Sequence, residues 1–333
     1  MSLYKPQEPI YFQGPNYYIP TRCITNKDLI DWMGVKLKDS LIEKRTGIKT
    51  RYWVDGQSCS DLGYNAAKNL IKDLEIDTQN IGTLILSTIS GDFSSPPTSP
   101  LIQDRLKLQN IGSFDFSAAC AGFTAGLILG QSLCSSGSKD ILLISSEIRS
   151  KFLSKKDFQT NALFGDGSSS ILITRERKNA HYKFLGGKLF TDGSVADIIS
   201  IPFGGSKNPH SIDPEDHTLR MKGGAELFLK ALNGMYESSL SLLEDLKISL
   251  DEIDWIVPHQ ANLHMIEALT KKLQFPEEKV IKTIQKWGNT SGASVGMALS
   301  TLKSENIPKA GQKVLLVSAG GGGIAANAVL EVQ

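Results

Sequence analysis

The chain repeats itself. Residues 70–76 read Leu-Ile-Lys-Asp-Leu-Glu-Ile and run on into Ile-Gly-Thr-Leu-Ile-Leu at 81–86; residues 242–248 read Leu-Leu-Glu-Asp-Leu-Lys-Ile and run on into Ile-Asp-Trp-Ile-Val at 253–257. Leu246 lies 172 positions after Leu74, Ile253 lies 172 after Ile81, and the offset drifts by only one where the run beginning at Ile141 meets the run beginning at Val314. Both copies follow one pattern of amphipathic helix, acidic turn and buried strand. The first copy predicts helix 59–74, strand 83–90, helix 98–107, strand 113–117, helix 120–135 and strands 140–147 and 168–174. The second predicts helix 224–246, strand 253–258, helix 262–273, a short strand near 280–284, helix 291–303 and strands 313–318 and 324–332.

Helices alternating with β-rich apolar runs imply an α/β fold whose sheets are mixed but mostly parallel, with helices layered on both faces. Two halves, 1–175 and 176–333, are expected to pack about a pseudo-twofold axis. Cys120 then has its counterpart near Gly292, beside Asn289, so the starts of two small-residue helices are expected to meet at that axis. A site shared by both halves follows.

Cys120 sits where the run Phe114-Asp115-Phe116 gives way to an all-apolar helix. Unpaired N–H groups and the positive end of the helix dipole at such a start lower a thiol pKa from about 8.5, so Cys120 is expected to be a nucleophile with much of its sulfur as thiolate. In the second half, strand 253–258 ends at Pro258-His259-Gln260-Ala261-Asn262, where side chains of a parallel sheet emerge toward ligands. The run Trp287-Gly288-Asn289-Thr290-Ser291 occupies another strand-to-helix turn. Gly320-Gly321-Gly322-Gly323 is bare backbone able to aim N–H groups at an oxyanion. Singly, each reads as an inert cysteine, a core histidine, a turn asparagine or a tight connection; their placement at equivalent ends of symmetry-related elements is what those readings do not predict.

A formal net charge of +1 supplies no global pull toward nucleic acid or membrane. Four dispersed cysteines lack zinc or redox spacing, and no leader or membrane-length apolar run is apparent. The expectation is a soluble cytoplasmic protein with reduced thiols and no metal.

The chain resembles the β-ketoacyl-acyl-carrier-protein synthases of type III, among the thiolase-like condensing enzymes. The resemblance rests on Arg45-Thr46-Gly47-Ile48, Ala119-Cys120-Ala121-Gly122-Phe123, Phe164-Gly165-Asp166-Gly167, the His259 and Asn289 runs and the glycine-rich tail, in that order along the chain. It implies a thiolase-like duplicated fold and a decarboxylative Claisen condensation. Cys120 takes the acyl primer as a thioester, His259 and Asn289 serve the malonyl-carrier step, and the N–H groups of Cys120 and Gly322 hold the oxyanion. An enolate needs donors that do not quench it, and neutral imidazole beside a carboxamide fits. Arg45, Phe158, Ala261 and Asn262 fall at substrate-binding positions. Ser95 stands where acetyl-using relatives narrow the tunnel with an aromatic ring, which implies a medium or long primer.

Leu41 replaces the tryptophan that stacks on coenzyme A and Phe158 the arginine opposite, so a carrier-bound donor is favoured over coenzyme A. His264 stands in for an arginine of the family. Lys271 and Lys272 form either a patch for an acidic carrier protein or an ordinary solvated helix end. The stretch 204–217 reads as a flap or a plain surface loop. No cofactor beyond acyl thioesters of coenzyme A or carrier protein is implied, and a homodimer is. The other reading keeps Cys120 and the fold in a specialised pathway forming quinolones, resorcinols, cyclohexanediones, esters or amides.

Overall fold

The computed structural model describes residues 2–305 and 308–333. Its centre is one ten-stranded mixed sheet. From one edge the order is Trp255–Pro258, Lys313–Gly320, Ile324–Val332, Tyr182–Thr191, Tyr11–Tyr18, Gly167–Thr174, Asp140–Glu147, Ile81–Ser87 and Gly112–Phe116, with Leu3–Tyr4 pairing beside Tyr182–Thr191. Pairing is parallel between Trp255–Pro258 and Lys313–Gly320 and on both sides of Ile81–Ser87, and antiparallel at the other junctions.

The internal symmetry is visible in the register. Tyr11 pairs with Lys183 and Phe12 with Tyr182. Tyr182 and Lys183 each lie 171 positions after Tyr11 and Phe12, so a twofold rotation turns one pair into the other. The halves therefore share a sheet across the axis.

Inside, helices Gly122–Ser135 and Ser294–Glu305 follow 3-10 turns at Ala119–Ala121 and Ser291–Ala293, again 172 apart. The first helix touches Asp140–Glu147 and Gly167–Thr174 of its own half and Ile324–Val332 of the other. Both are buried on nearly every side over their first turns because both lie between sheet halves; Phe123, Leu127, Val295 and Leu299 are fully buried. Cys59–Asp73 covers the outer face of the first half and Gly224–Leu246 that of the second. The former begins in a capping box, Ser58 Oγ accepting from the Asp61 N–H and the Asp61 carboxylate from the Ser58 N–H at 2.8 Å.

The strand expected near 280–284 is absent. Val280 makes a single parallel bridge to Ile256, and Ile284–Trp287 is a short helix. Gln260 Oε1 accepts from the N–H groups of Thr283 (2.8 Å) and Ile284 (3.1 Å), so a side chain takes donors that a strand would give its neighbour. Among the described residues, no helix is long and apolar enough to cross a membrane, and no group of three metal-ligating side chains converges.

Candidate active site

Strand Gly112–Phe116 delivers the chain to Ala119, whose φ of 47° is a left-handed strain of about 1–2 kcal/mol for a non-glycine residue. Its symmetry partner Ser291 carries the same strain at φ 52°. These bends bring the two helix starts together, with Cys120 Sγ 3.6 Å from Ser291 Oγ. Cys120 lines two cavities. One, of about 190 Å³, also takes His259, Asn289, Ala261 and Asn262; the other, of about 280 Å³, is walled mainly by Ile89, Phe164, Ile199, Ile201 and Leu219. The nucleophile candidate thus stands between two largely apolar chambers, the first of which brings His259 and Asn289 to it.

The expected resting thiolate is not what this environment favours. Burial pushes the Cys120 thiol up and the Glu147 carboxylate adds to the rise; the Ser291 hydroxyl, Arg149 and the Gly321 N–H act in the opposite direction. Desolvation outweighs the helix start.

His259 is held by its N–H on the Val317 carbonyl (2.7 Å) and by Nδ1 against Ser294 Oγ (2.7 Å). Burial lowers its pKa to about 4, so the ring is neutral. The Gln260 N–H approaches the same Ser294 oxygen at 3.4 Å; with the Ser294 hydroxyl donating to Nδ1, the neutral ring carries its proton on Nε2. Asn289 is fixed by its N–H to the Leu163 carbonyl (2.8 Å) and its carbonyl to the Gly165 N–H (3.0 Å). Its side-chain Oδ1 accepts from the Ser291 N–H at 2.8 Å, which turns the amide so that Nδ2 is the free, donating end; one contact of that end is Ala261 O at 3.5 Å. His259 and Asn289 thus enter the chamber as uncharged donors.

The glycine loop arrives as expected, with a different residue at the sulfur. Gly321 lines both cavities, whereas Gly322 lines neither. Gly320 packs so closely that an added Cβ would stand 2.6 Å from the Cys120 nitrogen.

Arg45, Phe158 and Asn262 gather at one place. The Arg45 guanidinium carbon is 5.9 Å from the Phe158 ring centre, and Asn262 Nδ2 donates to the Arg45 carbonyl at 3.3 Å. Asn262 Oδ1 caps helix Leu263–Leu273 through the His264 N–H. His264 does not act as a free cation: its ring spans the Lys44 carbonyl (2.9 Å) and Glu267 (3.3 Å). Lys271 is exposed, while Lys272 is committed to Asn233 Oδ1 (2.6 Å) and the Tyr236 ring.

Ser95 lies on an exposed loop and lines neither cavity of its own chain. The loop leaves the body after Ser87 and carries Phe93, which is 60% exposed.

Ser294, Ser291, Glu147 and Arg149 are site residues that motif reasoning passed over. The 172-residue offset points to Ser291 as the counterpart of Ala119, and the acid and base at 147 and 149 stand at and just beyond the end of the strand run that begins at Ile141. Both signals are in the sequence.

Two α/β repeats whose central helices start against each other on the internal axis, one bringing a thiol and the other an imidazole and a carboxamide, are the construction of the thiolase-like condensing enzymes. Within that class the chain belongs to the 3-oxoacyl-[acyl-carrier-protein] synthase III family: the family's model matches residues 114–193 and that of its C-terminal part matches 243–332. The beta-ketoacyl-[acyl-carrier-protein] synthase III of Caldanaerobacter subterraneus subsp. tengcongensis is 34% identical over 323 residues, covering 96% of each chain. The crystal structure of 3-oxoacyl-[acyl-carrier-protein] synthase III from Aquifex aeolicus is 32% identical, covers 97% of this chain and 99% of its own, and superimposes with a TM-score of 0.87. The priming β-ketosynthase of the R1128 polyketide biosynthetic pathway is 27% identical over 98% of this chain and 97% of its own, with a TM-score of 0.87.

Proposed function

We propose that this chain joins an acyl primer to a malonyl thioester of acyl-carrier protein by decarboxylative Claisen condensation, giving a 3-oxoacyl thioester for fatty acid or specialised-lipid synthesis. The observation that carries this reading is that Cys120 shares one cavity with the uncharged donors His259 and Asn289 and opens on its other side into a second cavity. In the first stage Cys120 gives up its proton and its sulfur attacks the primer carbonyl. The new S–C bond forms, the old thioester bond breaks, and the departing carrier thiol takes the proton. Backbone N–H groups of Cys120 and the Gly321–Gly322 turn stabilise the tetrahedral oxyanion.

In the second stage the malonyl thioester loses carbon dioxide. His259 Nε2–H and Asn289 Nδ2–H donate to the enolate oxygen, and neither carries a charge that would hand over a proton and quench it. The enolate carbon attacks the acyl carbonyl on Cys120, the carbon–carbon bond forms, and the cysteine sulfur leaves. The sequence is redox-neutral and calls for no metal or further cofactor.

Arg45 and Asn262 serve the pantetheine arm at the mouth, with Ala261 and Phe158 beside them. Lys271 offers the freer cation to an acidic carrier. The working form is a cytoplasmic homodimer, in which the exposed loop carrying Phe93 and Ser95 meets the second copy; the length of primer accepted is set there.

The test is carbon dioxide release from malonyl-acyl-carrier protein. His259→Ala and Asn289→Ala should each slow it by about 10²–10³-fold, in line with loss of one oxyanion donor. Release at the wild-type rate in both variants would remove these residues from the mechanism.

A further inference from the structure

The apolar chamber holds one side chain that an aliphatic primer leaves unexplained. Arg149 lines it, is 2% exposed, and has Nε and Nη1 buried without any hydrogen-bond partner. Among the described residues no carboxylate lies within 4 Å of its guanidinium. Neither nearby acid pairs with it, although Glu147 Oε1 is itself buried without a partner. Asp166 accepts from the N–H groups of Val54, Arg149 and Ser150 and from the Ser150 hydroxyl, and so fixes the Arg149 backbone while leaving its side chain alone. Glu147 Oε2 accepts from Ser90 Oγ at 2.8 Å and the Ile89 N–H at 3.4 Å. The rings of Phe152 and Phe164, each 5.7 Å from the guanidinium carbon, hold the group in place without satisfying its donors.

A guanidinium stays charged at any pH a protein meets, so its burial has to be matched by an acceptor. Its planar fork fits a carboxylate with two parallel N–H···O bonds. The remaining lining offers Ser200 and Ser291 as polar side chains, and no anion. We propose that the primer this chain accepts ends in a carboxylate: it is the monothioester of a short dicarboxylic acid, and Arg149 is the residue that selects it. The proposal rests on Cys120 being the acyl acceptor. The loading step is the exchange described above, with the S–C bond to Cys120 formed, the bond to the donor's sulfur broken, the thiol proton leaving on the donor thiol, and the far carboxylate unchanged against Arg149.

The experiment compares succinyl, glutaryl and adipyl thioesters with butyryl, pentanoyl and hexanoyl thioesters, each presented both on coenzyme A and on acyl-carrier protein, following the rate at which each acyl mass appears on the intact chain. At least one dicarboxylic thioester should load tenfold or more faster than its monocarboxylic match. Arg149→Leu should invert that preference, and Arg149→Lys, which keeps the charge and loses the fork, should retain part of it. Equal or faster loading of the monocarboxylic series by wild type overturns the selection by Arg149 and leaves the role of Cys120 standing. Absence of any acyl mass, or its persistence in Cys120→Ser, overturns the acceptor reading and this proposal with it.

Discussion

His259 and Glu147 are buried titratable groups whose protonation follows from desolvation, with opposite consequences. The imidazole is lowered from 6.5 to about 4, so the folded chain keeps it neutral where an unfolded chain has begun to charge it. Stability from this group is present above pH 6.5 and lost as pH falls toward 4. Decarboxylation should therefore stay level between pH 5 and 6, where an unperturbed histidine would lose most of its neutral form; a fall of several-fold across that unit would show the ring titrating normally. Ser294→Ala should slow carbon dioxide release about tenfold while leaving Cys120 acylation unchanged, because the hydroxyl sets which ring nitrogen carries the proton and touches nothing in the first stage.

Burial raises Glu147 to about 7; Asp166 adds to the rise, while Arg149, Ser90 and the Ile89 N–H oppose it. Its proton is bound more tightly in the fold, so stability falls as pH rises from 4.5 through 7. Glu147→Gln removes that fall. Urea unfolding should place the variant ahead of wild type at pH 8 by up to about 3 kcal/mol and near it at pH 4. A constant difference at both pH values would assign the effect to packing instead.

At the scale of elements, the two helix starts set the site, and their approach is limited by Gly292. A Cβ there would stand 2.9 Å from the Ala119 carbonyl oxygen, 3.1 Å from Ser145 Oγ and 3.2 Å from Glu147 Oε1. Gly292→Ala should cost about 1–3 kcal/mol in denaturant unfolding, as an overpacked core does, and slow Cys120 acylation by moving the sulfur. Unchanged stability would mean that the helices have slack at the axis. The repeat offset made this meeting legible before any coordinates, because a constant spacing survives even where side chains differ. Strand ends were less legible. Residues 280–284 look like a strand by composition, and only the fold shows that the side chain of Gln260 has taken the donors of Thr283 and Ile284. The Cys120 environment was misread for a related reason: a helix start is local and visible in sequence, whereas the burial that outweighs it and the Glu147 charge arrive from other elements. Arg149 was legible as a charge just beyond a predicted strand end, but its lack of a partner is a three-dimensional fact.

At the scale of the whole molecule, the sheet has an edge that one chain leaves open. Gly112–Phe116 is the terminal strand, hydrogen-bonded only to Ile81–Ser87, and an unpaired strand edge is a template for another strand. Phe114 on this strand is 37% exposed, as are Ile89 and Leu101 nearby in sequence, and Phe93 reaches 60%. A second copy related by a twofold axis would pair the same strand antiparallel to itself and bury these apolar side chains together. Strand pairing of this kind also brings the loop with Ser95 toward the partner, where a residue lining neither cavity of its own chain gains a place to act. Sedimentation of the wild type should give twice the 36.3 kDa of one chain. Phe114→Lys, which puts a charge into the centre of that edge, should shift the mass to one chain at micromolar concentration and lower condensation turnover at the same step. A wild type that sediments as a single chain with full activity would leave the open edge without a role in catalysis.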